Sequence, residues 1–143
     1  MLARVQFNLP RDASYVPVTR GMVTCLLDEV GVPDDAAGDI KVALSEACAN
    51  VVRHAQGAED YYVTLEVGPE GCEVEVVDLG STWPAEEQGE VAPPPPPGAE
   101  SDAEHGRGML LMRELVDDFQ FVREQHATRV RLVKRWPSLS HVP

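Results

Sequence analysis

The stretch from Tyr62 to Val77 leaves the chain the least freedom. Val63, Leu65 and Val67 alternate with Tyr62, Thr64 and Glu66, and then Gly68, Pro69, Glu70 and Gly71 follow in a row. After them Cys72, Val74 and Val76 alternate with Glu73, Glu75 and Val77. Successive strand residues point to opposite faces, so a period of two gives each run one apolar and one mostly polar face. The Gly-Pro-Glu-Gly step is a tight turn that folds the two runs into a hairpin. The apolar face of that hairpin has to be covered, and helices are the available cover.

The rest of the sequence supplies them. Ala3, Val5, Phe7 and Leu9 share a face of an N-terminal strand. A helix is predicted from about Ser14 to Val30, with Pro17 in its first turn and Gly31 as C-cap. Val18, Met22, Cys25, Leu26 and Glu29 define one side of it. A second helix starts near the acidic pair Asp34 and Asp35 and carries an apolar stripe of Ile40, Ala43, Leu44, Ala47, Val51 and Val52; Gly57 ends it. A short helix from about Gly108 to Val116 precedes a last hairpin, Phe119 to Arg123 and Thr128 to Lys134. This order predicts an α+β fold: a two-layer α/β sandwich with a mixed, mostly antiparallel sheet and the helices on one face. With 143 residues, one domain is expected over 1–136, followed by a tail at 137–143.

Charge removes some partners. There are 24 Asp and Glu against 12 Lys and Arg, a net charge of −12. Neutralising phosphates calls for the opposite sign, so nucleic acid is not an expected ligand, whereas a basic partner is easily accommodated. Cys25, Cys48 and Cys72 form no CxxC pair and each reads as a small buried hydrophobe. No apolar run is long enough for a bilayer, and the N-terminus has no signal-peptide core. The expectation is a cytoplasmic protein without membrane attachment.

Three local patterns carry chemistry. In Ser45-Glu-Ala-Cys-Ala-Asn-Val-Val-Arg-His-Ala55, the residues Glu46, Asn50 and His54 recur at steps of four inside an apolar stretch. Such residues share one helix face. A carboxylate and a carboxamide held together are hard oxygen ligands suited to Mg²⁺, and the carboxylate can also accept a proton from a hydroxyl. The same spacing fits a solvated face with ordinary i, i+4 contacts. Asp78 is in phase with Cys72, Val74 and Val76, so it points inward, where a carboxylate needs a donor such as an adenine amino group; Gly80 lets a ligand approach the backbone. An Asp that caps the following turn would read the same way. Gly106 and Gly108 stand before the third helix, where free amides and the helix dipole suit phosphate, or where a hinge is needed. Residues 81–105, with five consecutive prolines at 93–97 and no Lys or Arg from Ser81 to Glu104, read as a lid loop or a solvated insertion.

Taken in this order, the patterns resemble the GHKL ATPases, the class of gyrase, histidine kinases and mismatch-repair ATPases. Glu46-x-x-x-Asn50 resembles its N box, Asp78-x-Gly80 its G1 box and Gly106-x-Gly108 its G2 box. His105-Gly-Arg-Gly-Met-Leu-Leu-Met-Arg-Glu-Leu-Val-Asp-Asp-Phe119 is similar to one branch, the anti-sigma-factor serine/threonine kinases. The resemblance implies the GHKL (Bergerat) ATP-binding fold, an ATP lid at 81–105, and ATP and Mg²⁺ as cofactors. It implies sequestration of a sigma factor, phosphorylation of an anti-anti-sigma (STAS-type) protein, and a homodimer as a further association. Carried over by position, Glu46 is the general base and Asn50 the Mg²⁺ ligand. Asp78 with Gly80 holds adenine, Gly106, Arg107 and Gly108 line the phosphates, and Arg53 and His54 lie near the nucleotide. Arg20 matches a partner-contacting arginine. Three departures stand out: Thr82 replaces the usual second glycine of the G1 box, the lid has no basic residue for a γ-phosphate, and Ser81-Thr-Trp-Pro84 stiffens what is usually a mobile start of the lid. They leave a second reading open, a module that uses ATP, or no nucleotide, only to hold its shape while it sequesters a partner.

Overall fold

β1 (Ala3–Pro10) leads through a turn into α1 (Tyr15–Val30), which is followed closely by α2 (Asp34–Arg53). The hairpin β2 (Asp60–Val67) and β3 (Gly71–Asp78) comes next, then a 3-10 turn at Ala85–Glu87 and a two-residue strand, β4 (Gly89–Glu90). α3 (Ala103–Leu115) and a second hairpin, β5 (Asp118–Glu124) and β6 (Ala127–Arg135), complete the chain. This computed structural model describes residues 3–53, 60–80, 82–91 and 103–137, with 103–107 as helix backbone. His54, residues 92–102 of the expected lid and residues 138–143 of the expected tail lie outside the described residues.

The six strands run in the order β1-β2-β3-β6-β5-β4. All five pairings are antiparallel, so the expected mixed sheet is corrected. The physical reason is the connectivity. Both hairpins join neighbours by tight turns, and the helices return the chain to the far side of an existing strand instead of crossing over in parallel. One face of the sheet carries Val63, Leu65, Val74, Val76, Val130 and Leu132, all buried against the helices. The other face is polar, and cross-strand ion pairs lace it: Arg4 with Glu66, Arg131 with Glu73 and Arg129 with Glu75. Each is at least one-third exposed, so each adds little to stability.

α2 is the central helix, and it buries Ile40, Ala43, Leu44, Ala47 and Val51, as its stripe predicts. α1 differs from expectation. Its buried residues are Thr19, Val23 and Leu27, a strict i, i+4, i+8 row, while Val18, Met22 and Cys25 are exposed. Thr19 fits an apolar face because its hydroxyl donates to the Tyr15 carbonyl at 2.9 Å. Cys25 is therefore not a buried hydrophobe. It stands two residues, about 200°, from Val23 on the helix, which turns it away from the core. α1 ends where Gly31 takes a φ of 89°, a left-handed conformation that favours glycine, and the Gly31 amide donates to the Leu27 and Asp28 carbonyls.

Lys134 couples the layers. Its ammonium lies 2.9 Å from Asp39 Oδ2 on α2 and donates to the Leu115 carbonyl at the end of α3, also at 2.9 Å. Trp136 is buried and seals the β2–β3 turn, with its ring nitrogen donating to the Pro69 carbonyl. Among the described residues, no helix is long and apolar enough to cross a membrane.

Candidate functional site

The site begins at one end of the sheet. Tyr61 stands opposite Asp78, Asp78 opposite Thr128, and Thr128 opposite Arg123. Residues directly opposite in an antiparallel pair share a face. These four therefore form a row on the helix-facing side, at the ends of β2, β3, β6 and β5. Arg11 reaches the row from the other edge, two residues after Leu9, which itself pairs with Tyr61.

Asp78 is 3% exposed, as its phase in β3 predicts. The Gly80 amide donates to its Oδ1 at 2.8 Å, which bends the chain out of β3. Arg11 Nη2 meets the same oxygen as an ion pair, and the two side chains are only 7% and 4% exposed. Neither Arg11 nor Thr128 follows from a sequence motif. Thr128 had a legible signal, since it is in phase with Val130 and Leu132 and is a polar residue on an apolar face. Arg11 had none, because it lies beyond the last residue whose strand phase can be read.

α2 crosses above this row. The Cys48 thiol lies beside the Tyr61 hydroxyl; burial pushes the thiol up to about 12, and the hydroxyl opposes that shift. The Tyr61 phenol is raised too, by burial first and by Cys48 second. Cys48 sits between Glu46 and Asn50 in the sequence, so the turn of α2 that carries both is anchored over the Tyr61–Asp78 pair. Asn50 is 9% exposed and Glu46 half-buried. Arg53, on the last turn of α2, is exposed.

α3 packs along α2 and brings the third pattern in. A methyl group built on Gly108 would come within 3.1 Å of Glu46 Oε2. The glycine thus lets the two helices close on the carboxylate. The start of α3 corrects an expectation. Gly106 and Gly108 do not precede the helix but lie inside it, because the helix begins at Ala103. An α-helix leaves its first four amides without intrahelical partners. Counted from the N-cap these end at residue 105, so the amides of both Gly106 and Gly108 fall within the ladder. The side chain of Arg107 lies outside the described residues. Arg20, exposed on α1, reaches Ser45 beside Glu46, with Nη1 3.4 Å from the Ser45 hydroxyl.

The beginning of the lid segment is held at the opposite side of the row. The Trp83 ring nitrogen donates to the Thr128 hydroxyl at 2.9 Å, its amide donates to the Gln125 carbonyl, and the Arg123 guanidinium stacks over its ring at 4.1 Å. β4 then pairs with β5, and the Val91 amide donates to the Phe121 carbonyl. Residues 83–91 are thereby tied to the edge of the sheet.

Comparison with known proteins identifies the family. The model for the histidine kinase-like ATPase domain matches residues 9–134. The chain belongs to that family. Its sequence is similar to the serine-protein kinase RsbW of Bacillus velezensis, at 28% identity over 91% of this chain and 84% of that protein. Its fold is similar to the RsbU and RsbW domains of a Mycobacterium tuberculosis protein, with a TM-score of 0.69 and 16% identity over 98% of this chain. The match spans about a third of that longer protein, 35% of it. It also resembles a chain of the SiaB–SiaC complex of Pseudomonas aeruginosa, with a TM-score of 0.63 and 13% identity, covering 90% of this chain and 88% of that one. The α+β fold expected from the sequence, with β4 as a sixth strand beyond the five expected, is thus the fold of this kinase-like ATPase family, whose members use ATP.

Proposed function

We propose that the chain is an ATP-dependent protein serine/threonine kinase that also acts as an anti-sigma factor, holding a sigma factor and phosphorylating an anti-anti-sigma (STAS-type) partner. The observation that carries this reading is the approach of Gly108 to Glu46, which sets a half-buried carboxylate at the meeting of α2 and α3. Glu46 is the general base. Its oxygen is placed to accept the proton of a partner hydroxyl as that oxygen attacks a γ-phosphoryl group. Asp78 accepts a hydrogen bond from the adenine amino group, and Gly80 holds the carboxylate in orientation through its amide. Gly106, Arg107 and Gly108, at the start of α3, serve the phosphates. Arg53 and His54 flank the nucleotide, and Arg20 contacts the partner.

Asn50 fits Mg²⁺ as a nearly buried hard-oxygen donor one turn from Glu46. Bound there, the metal would neutralise charge on the β- and γ-phosphate oxygens. Among the described residues no three His, Cys, Asp or Glu side chains cluster into a metal cage. Asn50 with phosphate oxygens and water is the donor set that matches. The membrane and nucleic acid play no part in this reading, a cytoplasmic setting suits it, and a homodimer is compatible with it.

A second reading is favoured by one observation. Residues 83–91 are tied to the sheet edge, and the lid segment from Ser81 to Glu104 has no Lys or Arg. A module that binds nucleotide without turning it over, and only sequesters its partner, would need no lid cation. Calorimetry of ATP with Mg²⁺ on wild type, Asp78→Asn and Glu46→Ala separates the two. The kinase reading expects wild type and Glu46→Ala to bind, Asp78→Asn not to bind, and Glu46→Ala to lose phosphotransfer to an anti-anti-sigma protein. Phosphotransfer by Glu46→Ala at the wild-type rate would refute the general-base role.

A further inference from the structure

Among the described residues, the buried side-chain nitrogens and oxygens without a hydrogen-bond partner belong to three residues: Arg11 (Nε, Nη1 and Nη2), Tyr61 (the hydroxyl) and Arg123 (Nε). All three lie on the row that contains Asp78. Buried polar groups nearly always have partners, so such a concentration at one place calls for an explanation. The Tyr61 hydroxyl lies beside the Cys48 thiol, a weak partner. Arg123 is satisfied in part by the Trp83 ring. Arg11 is different. Its side chain is only 7% exposed, Nη2 meets Asp78 Oδ1 as an ion pair, Nε and Nη1 have no partner, and burial lowers its pKa.

We infer that Arg11 is a specificity-determining residue of the base site, donating to the acceptor nitrogen that flanks the amino group read by Asp78. This inference rests on the nucleotide reading above and extends it. The chemistry is complementary. Purine edges place donors and acceptors side by side, and adenine flanks its amino group with the acceptors N1 and N7. A carboxylate alone recognises only the donor. A carboxylate with a guanidinium beside it recognises the pair, and the guanidinium also offsets the buried carboxylate charge. A plug that Arg11 formed against Asp78, to be expelled by the base, would have its donors satisfied in the closed state. Here only Nη2 meets Asp78, and Nε and Nη1 have no partner.

The test needs no variant to begin. Binding of ATP, 1-deaza-ATP and 7-deaza-ATP to the wild-type chain is measured by calorimetry with Mg²⁺. One of the two analogues is expected to bind about tenfold more weakly than ATP, the loss of one charge-assisted hydrogen bond. Arg11→Ala is expected to bind ATP about tenfold more weakly and to show no further loss with that analogue. Arg11→Lys, which keeps the charge, reports the same comparison if the alanine variant does not fold. Equal binding of all three nucleotides by the wild type overturns the inference and assigns the Arg11 donors to water. Tighter ATP binding by Arg11→Ala overturns it in favour of a plug. A wild-type chain that binds no ATP overturns the nucleotide reading itself. Binding of ATP that is lost in Asp78→Asn, with no discrimination among the analogues, overturns only the role of Arg11.

Discussion

Gly108→Ala separates stability from catalysis because its two consequences have opposite signs. Gly108 is the sixth residue of a thirteen-residue helix, well inside the ladder. Replacing an interior helical glycine by alanine favours the helix by roughly 0.8–1 kcal/mol. Against this stands one contact, the new methyl at 3.1 Å from Glu46 Oε2. That oxygen ends a flexible, half-buried side chain and has to give by only a few tenths of an ångström, at a cost below the propensity gain. The expected net effect is a gain of about 0.5 kcal/mol, a rise of roughly 1–2 °C in Tm for a chain of this size. The carboxylate, however, is displaced from the position the two helices give it. Displacements of this order in a catalytic group cost about tenfold in rate, as misplacement by a full ångström can cost about a hundredfold. Thermal unfolding by circular dichroism and phosphotransfer to a cognate anti-anti-sigma protein read the two effects separately. A more stable variant with an undiminished kcat would show that the carboxylate at 46 is not the proton acceptor. A clear loss of stability would show that α2 and α3 are packed too rigidly for Glu46 to yield.

Two further outcomes follow from burial. Cys25 is exposed, and Cys48 and Cys72 are buried with their thiols pushed up to about 12 by desolvation. A thiol reagent at pH 8 should modify one cysteine in the native protein and all three after denaturation; fast native labelling of two would refute the assigned burial. Both buried thiols have folded pKa values above the ordinary 9.0, so their contribution to stability is complete below pH 9 and is lost as pH rises from 9 toward 12. Denaturant midpoints taken across that window should fall, and a flat profile would contradict the shift. Trp83→Ala removes a hydrogen bond to Thr128 and the stacked Arg123, together worth about 1–2 kcal/mol. It should speed cleavage at Glu86, Glu87 and Glu90 by a glutamate-specific protease, and an unchanged rate would mean that β4 alone holds the segment.

The base end of the site was legible because strand phase is a strict rule. Once Cys72, Val74 and Val76 were assigned inward, Asp78 had to follow, and it does. The same rule would have delivered Thr128. α2 was legible for a similar reason, since its apolar stripe is long and unbroken. α1 was not, because it has apolar residues on two sides, and only packing against β1 and α2 decides that Thr19, Val23 and Leu27 face inward. The pairing of Trp83 with Thr128 spans 45 residues, and no local pattern encodes it.

The start of α3 shows why the two ends of the site differ. Glycine-rich starts are read from sequence as loops because glycine disfavours helix, and Gly106 and Gly108 pull the predicted start of α3 to Gly108. In the structure the helix extends to Ala103, Met109 and Met112 are buried, and Gly108 lets α3 pack close on Glu46. The glycine is thus selected by a helix–helix contact, and a reading based on backbone freedom assigns it to the wrong cause. The consequence is chemical. Asp78 and its neighbours are fixed by sheet register, whereas the amide of Gly108 becomes available to a phosphate only if the first turn of α3 unwinds. On the proposed reading, base recognition is therefore built into the sheet, and phosphate recognition is tied to where α3 begins. Amide exchange at Met112, deep in α3, should be insensitive to nucleotide, while exchange at Gly108 should change on ATP binding. Protection at Gly108 that ATP leaves unaltered would place the phosphates on the free amides at 103–105 instead.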